Sequence, residues 1–247
     1  MNKVRNAQVA VVTGASRGIG AAIARRLAAD GFAIAVNYAA NAQQAQALVA
    51  ELKEAGSHAL AVQADIGQAD DVRRMFDAVE QQLGKLDVLV NNAGVLHTAP
   101  IAEFSDAAFE QSFAINVRGT FNTLREAAAR INDGGRIVNL STTVLALNLP
   151  GYAIYNATKA SVEAFTRVFA KELRGRGVTV NAVAPGPVAT PLFFDGKSAE
   201  LIEHYAKMPP LERLGEPDDI AAVVSFLCSP DGGWVNAQVL RANGGIA

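Results

Sequence analysis

The stretch that most constrains this chain is an apolar run followed at once by glycines. Val9-Ala10-Val11-Val12 is continuous and of strand length, the pattern of a β-strand buried on both faces. Thr13-Gly14-Ala15-Ser16-Arg17-Gly18-Ile19-Gly20 follows, then a helical pattern through Ile23, Ala24 and Leu27 that closes at Asp30-Gly31. A strand, a tight glycine turn and a helix N-terminus in succession form an anion site, because the first N–H groups of a helix have no partner within it. The spacing Gly-x-x-x-Gly-x-Gly lets the backbone come close to a pyrophosphate.

The unit then repeats. Strands are expected at Phe32–Val36, Ala59–Gln63, Leu86–Val90, Arg136–Leu140, Val178–Val183 and Ala237–Leu240. Helices fall between them at Gln43–Glu54, Asp70–Leu83, Phe109–Arg130, a run reaching Leu173, and Asp218–Leu227. Such alternation implies an α/β fold of the Rossmann type, a doubly wound parallel sheet with helices on both faces. Half of the 247 residues are hydrophobic and 19% are charged, enough for a core shielded on both sides. With no internal repeat and no linker, one domain over residues 1–247 is expected. The pattern loosens only over residues 188–216, apart from a short amphipathic piece before Met208-Pro209-Pro210, and a stretch that long is a lid or binding loop. Phe193 and Phe194 read there either as an apolar lid or as ordinary core.

Charge narrows the partners. The net charge of -2 comes without a basic run, so nothing draws the chain to nucleic acid or to an anionic membrane. Cys228 is the only cysteine, which fits a reducing compartment. The apolar run Val9–Val12 is too short for a signal-peptide core or a span. A cytoplasmic protein is expected.

The chemistry centres on Tyr155 and Lys159, one helical turn apart and so on one face. A lysine cation about 4 Å from a phenol favours phenolate by about 4 kcal/mol at an effective dielectric of 20, or about three pKa units. That brings the phenol into the range of a general acid-base group. Ser141-Thr142-Thr143 puts three hydroxyls at the end of a strand. Asn116 interrupts the apolar side of a long helix, which implies either a kink or a held water.

The second strand ends in Asn37-Tyr38-Ala39-Ala40-Asn41, with no carboxylate. An acidic group there would hold ribose hydroxyls and repel a 2'-phosphate, so its absence favours NADP(H), with Arg17 as a partner for the phosphate. Ala64-Asp65 ends the third strand, and Asp65 suits either an adenine contact or a turn cap. Asn91-Asn92-Ala93-Gly94 ends the fourth, where Gly94 would let a cofactor lie against the backbone and the asparagines could tie loops together.

These segments, with Asn116-Val117, Tyr155-x-x-x-Lys159 and Pro185-Gly186, stand in the order and spacing of the short-chain dehydrogenase/reductases. The chain resembles that family from Val9 to Gly245, and within it the single-domain branch of 3-oxoacyl-acyl-carrier-protein reductases and carbonyl reductases. The resemblance implies that Tyr155 donates a proton to a carbonyl, that Lys159 lowers its pKa and holds the nicotinamide ribose, and that Asn116 anchors a relay water. It implies cofactor contacts from Gly14, Ser16, Arg17, Gly18, Ile19 and Gly20 in the first turn, and from Asn37, Tyr38 and Asn41 after the second strand. Further contacts are implied at Ala64, Asp65 and Ile66, at Asn92, Ala93, Gly94 and Leu140, and at Pro185, Gly186, Val188 and Thr190. No metal is implied.

Two positions depart from the pattern. Thr142 stands where the family has the serine that orients the carbonyl; its hydroxyl is equivalent, but its methyl group is bulkier. Ser141 or Thr143 could substitute if the strand end is displaced. Ala237 replaces a glycine common in the family and reads as a packing change only. The expected pocket walls are His97, Val144, Leu145, Tyr152, Pro187 and Phe193, mostly apolar, for a hydrophobic carbonyl or alcohol substrate. Apolar helix faces around Phe113 and Phe165 suggest a dimer, which the resemblance raises to a homotetramer. Three functions follow: a general NADPH carbonyl reductase, a carrier-protein reductase docking on Arg118, Arg125 and Arg130, and a non-catalytic NADP-binding regulator.

Overall fold

Side chains on a strand point alternately to opposite faces, and strand β1 (Val9–Val12) shows what lies on each. Val9 and Val11 pack into one apolar cluster, Ala10 and Val12 into another. The computed structural model describes residues 7–247. Six further strands flank β1: β2 (Ala33–Tyr38), β3 (Ala59–Gln63), β4 (Leu86–Asn91), β5 (Arg136–Leu140), β6 (Thr179–Pro185) and β7 (Val239–Ala242). They form one sheet in the order β3-β2-β1-β4-β5-β6-β7, every pair parallel.

Helices α1 (Gly18–Ala29) and α2 (Ala42–Glu54) cover the first face, with Ile23, Leu27 and Leu48 against Ile34 and Val36. Helix α3 (Ala69–Gln82) covers the second, bringing Met75 and Phe76 against Leu89 and Ile137. Each large side chain buried this way contributes roughly 1.5–3 kcal/mol. The strand order reverses at β1, whose neighbours β2 and β4 lead to opposite edges. In such sheets a crevice opens beyond the strand ends at the reversal. All loops that matter below leave from that edge.

Three elements differ from expectation. The long helix starts earlier and has three parts, α4 (Asp106–Ser112), a π-helical stretch (Phe113–Gly119) and α5 (Thr120–Arg130). Residues 188–216 are not a loose loop: they fold into α8 (Pro191–Phe194) and α9 (Ala199–Lys207), capped by the Thr190 and Ser198 hydroxyls. Val188 also bridges to Gly215. Helix α6 (Val144–Leu147) precedes the long α7 (Ala153–Glu172), and α10 (Pro217–Cys228) joins α1 on the first face.

The last strand begins two residues later than expected, because Ala237 sits at φ 58 in the left-handed region. Its N–H there reaches the Val180 carbonyl oxygen at 2.9 Å. The glycine usual at this point is thus a matter of backbone conformation as well as of packing, for Ala237 also packs against the core.

Candidate active site

The glycine turn is held from behind. Asn37 is buried within β2, and its Oδ1 accepts the Gly14 N–H at 3.1 Å while its backbone carbonyl accepts the Ala15 N–H at 2.8 Å. Its Nδ2 donates to the carbonyl oxygens of Val62 and Ala64. Asn37 therefore braces the turn and does not line the cleft, which corrects its placement among the cofactor contacts. Asn92 clamps the other side, donating from Nδ2 to the carbonyls of Thr13 and Gly14 at 2.9 and 3.0 Å. The space behind is full: a Cβ on Gly14 would lie 2.8 Å from the Ala93 Cα, and one on Gly20 would lie 2.5 Å from the Gly14 carbonyl oxygen.

On the open side the α1 N-terminus has no side-chain cap and no acidic residue in its first turn. Its free N–H groups meet the chemical need of a phosphate. Arg17 is exposed and, among the described residues, has no ion-pair partner. Tyr38, Ala39, Ala40 and Asn41 line the same cleft, with no carboxylate among them. This donor set fits a phosphorylated dinucleotide.

Asp65 accepts the Gly67 N–H at 2.9 Å, so it closes the turn before α3. Ala64 is buried beside it, and Ile66 is packed against Gly119 with its carbonyl on the Asn122 amide. None of the three lines the cleft.

The second wall comes from β5 and α7. Lys159 is only 6% exposed and donates from Nζ to the Leu140 carbonyl oxygen at 2.7 Å. Its ammonium lies 5.8 Å from the Tyr155 ring centre. Burial lowers the Lys159 pKa to about 8, and burial pushes the Tyr155 phenol up to about 12 against the opposing hydrogen bond with Thr142. Burial thus opposes the expected acidification of the phenol. Loss of solvent penalises phenolate and ammonium alike, which raises the one pKa and lowers the other. Tyr155 is a neutral hydroxyl beside the Thr142 hydroxyl, poised to donate. Thr142 occupies the serine position, whereas the Ser141 hydroxyl is committed to Glu163 Oε1, to which it donates at 2.8 Å. Thr143 is bonded to the Ala184 carbonyl oxygen.

Asn116 lies in the π-helical stretch, a feature often found at functional sites. Both protons of its amide are committed, to the Val95 carbonyl at 2.9 Å and Thr158 Oγ1 at 3.1 Å, while Oδ1 accepts the Val95 N–H at 2.8 Å. Thr158 in turn donates to the Tyr155 carbonyl oxygen. The side chain thus ties the loop after β4 to the start of α7. Gly94 completes the junction, since a Cβ there would lie 3.2 Å from Asn116 Oδ1 and 3.5 Å from Lys159 Nζ.

Between the walls is a cleft of about 570 Å³, a size ordinary for a cofactor or drug-sized ligand. It brings together Tyr155, Lys159 and Thr142 with the glycine turn, Asn92, Ala93, Gly94, Leu140, Pro185, Gly186, Val188 and Thr190. Of the expected pocket walls, Val144, Tyr152, Pro187 and Phe193 face it. His97 does not: its ring is bonded to Gln111 Oε1 at 3.0 Å. Leu145 does not either, because α6 turns Val144 and Leu147, three apart, to the cleft. The sequence reading missed Tyr205, Lys197 and Ile246. Ile202, Tyr205 and Ala206 form the inner face of α9 at helical spacing, a signal that was there to find. Of the three cations expected for carrier docking, Arg130 pairs with Asp77, Glu80 and Glu126, Arg125 lies over the Phe121 ring, and Arg118 is exposed.

A family profile described as "Enoyl-(Acyl carrier protein) reductase" matches residues 14–247. A "Short-chain type dehydrogenase/reductase" of Picea abies is 43% identical, over 96% of this chain and 92% of its own. A 3-oxoacyl-(acyl-carrier-protein) reductase of Staphylococcus aureus is 42% identical, over 96% of this chain and 97% of its own. Among solved structures, a blue fluorescent protein from a metagenomic library, in complex with NADPH, superposes with a TM-score of 0.93 at 40% identity, covering 99% of this chain and 100% of its own.

Proposed function

Because the chain belongs to the short-chain dehydrogenase/reductase family, we propose that it is an NADPH-dependent reductase converting a ketone or aldehyde reversibly to an alcohol. The observation that carries this reading is the pair of hydroxyls, Tyr155 and Thr142, facing one cleft with Lys159 and an anion site free of carboxylates. The NADPH complex of the superposed relative supports the cofactor. NADPH supplies the hydride when bound, and every other contribution comes from the chain. Free N–H groups of α1 and the Arg17 guanidinium hold phosphates. Thr142 and Tyr155 hydrogen-bond the carbonyl oxygen, and Tyr155 gives its proton as negative charge builds there. Lys159 carries a positive charge below about pH 8, which favours the phenolate left behind. Asn116 keeps the start of α7 in register with the loop after β4.

The apolar walls, Val144, Leu147, Tyr152 and Phe193, suit a hydrophobic substrate. Carrier-bound 3-oxoacyl thioesters are the second reading, favoured by the Staphylococcus aureus relative, with a basic patch reduced to Arg118 and Arg125 by the pairing of Arg130. We place the protein in the cytoplasm as a homotetramer. Phe165 of the expected face is packed against the core and Phe113 is only half-exposed, so the interface is drawn through Phe121 and Val168, exposed on α5 and α7. No helix of the described residues is long and apolar enough to cross a membrane. NADPH absorbance followed against aryl ketones, diketones and acyl thioesters tests the function. Turnover of thioesters alone would transfer the assignment to the carrier reading, and tight NADPH binding without any turnover would leave a regulator.

A further inference from the structure

One cation of the cleft has no part in the chemistry above. Lys197 stands between α8 and α9, half-buried, lining the cleft, with its Nζ 5.0 Å from the centre of the Phe193 ring. Among the described residues it has no carboxylate within ion-pair distance, although Asp195 and Glu200 are close in sequence. A cation held against an aromatic face in a cleft gains from the ring and still has its hydrogen-bond donors free.

The rings between this lysine and the reacting hydroxyl line one wall of the cleft. Tyr155 and Tyr152 are 6.4 Å apart, centre to centre, Tyr205 lines the same cleft and lies 5.6 Å from Phe193, and Lys197 caps the end. The wall runs from the acid to a lone positive charge. An apolar substrate alone gives no reason to hold that charge in the cleft.

The charge at that end is single. The N-terminus of α9 beside it is already used, for Ser198 accepts the Leu201 N–H and the Glu200 carboxylate occupies the first turn, where a backbone N–H and then the Ser198 hydroxyl lower its pKa. One ammonium suits a monoanion such as a carboxylate, whereas a phosphate dianion would meet Glu200 and Asp195 with too little compensation. The geometry points to a substrate class: a ring-bearing ketone or aldehyde whose far end carries a carboxylate, read by Lys197. This rests on the reductase reading and refines it.

The test compares the para-acetyl derivatives of benzoate and of biphenylcarboxylate, each with its own methyl ester. Both turnover with NADPH and calorimetric binding to the NADPH-loaded protein are measured, for the unaltered chain, Lys197→Met and Lys197→Arg. A carboxylate preference of about tenfold is expected, in KM and Kd rather than kcat, as a partly desolvated charge-assisted bond supplies. It should fall to about one in Lys197→Met and return in Lys197→Arg. An acid-to-ester ratio near one in the unaltered chain overturns the inference. So does a ratio that Lys197→Met leaves unchanged, or a loss confined to the Kd of NADPH, which would assign the lysine to the dinucleotide. Absence of turnover would strike the reductase reading, while the binding ratio would still decide the role of Lys197.

Discussion

The two sides of the cleft are built on different physics. The sheet side, made of the glycine turn, β4, β5 and α7, is backbone packed against backbone and braced by buried amides such as Asn37, Asn92 and Asn116. The other side, which we propose acts as a lid, is two short helices joined through Gly196, with Leu192 and Phe194 exposed and aromatic rings facing inward. A cofactor shared by many enzymes demands a fixed cradle, whereas a substrate demands a wall that can differ from one enzyme to the next. Tolerance to substitution should follow the same division.

The largest break should come on the sheet side. Tyr155→Phe removes the proposed proton donor and should lower kcat/KM by about 10³-fold, with NADPH affinity unchanged by calorimetry. Retained activity would remove the basis of the mechanism.

Lys159 offers the next test, through pH. Its folded pKa of about 8 lies below the ordinary 10.5, so the unfolded chain binds the extra proton between these values. Its contribution to stability is therefore full above pH 10.5 and is lost as pH falls through 8. The stability difference between the unaltered chain and Lys159→Met should change over that window by on the order of a few kcal/mol. Denaturant titrations at a series of pH values check it, and a flat difference would mean that the ammonium is better solvated than its burial implies. Reduction should weaken above about pH 8 as the charge is lost.

One substitution placed on both sides sharpens the contrast. Gly20→Ala drives a Cβ into the Gly14 carbonyl and the Asn92 amide, a clash costing roughly 1–3 kcal/mol. Gly196→Ala in the lid meets nothing within 4 Å and bears only the strain of φ +68, about 1 kcal/mol. Thermal melts of the two variants should rank in that order, and equal losses would mean that the lid is as tightly packed as the cradle. Smallest is Ala237→Gly, which relieves a left-handed alanine and should raise stability by about 1 kcal/mol, or a few degrees in Tm, with activity unaltered.

Much of the sheet side was legible because its requirements are local. An apolar run, a glycine turn and a helix start specify their own geometry, and Tyr155 and Lys159 share a face at any site on a helix. The lid was less legible, since short helices held by tertiary contacts leave only a weak period, and the inner face of Ile202, Tyr205 and Ala206 was overlooked.

The sequence by itself determined the strand order's raw material, the glycine cradle, the tyrosine–lysine pair and the lack of a carboxylate after β2. Tertiary structure alone decided which of three neighbouring hydroxyls faces Tyr155, because Ser141 and Thr143 are drawn off by Glu163 and Ala184, partners distant along the chain. It also decided that Asn37 braces the turn, that Ala237 is strained, and that the phenol is raised. Each of these depends on what surrounds a group in space. A residue's neighbours four positions away are fixed by helix geometry, but its solvent, its dielectric and its distant partners exist only once the chain has folded.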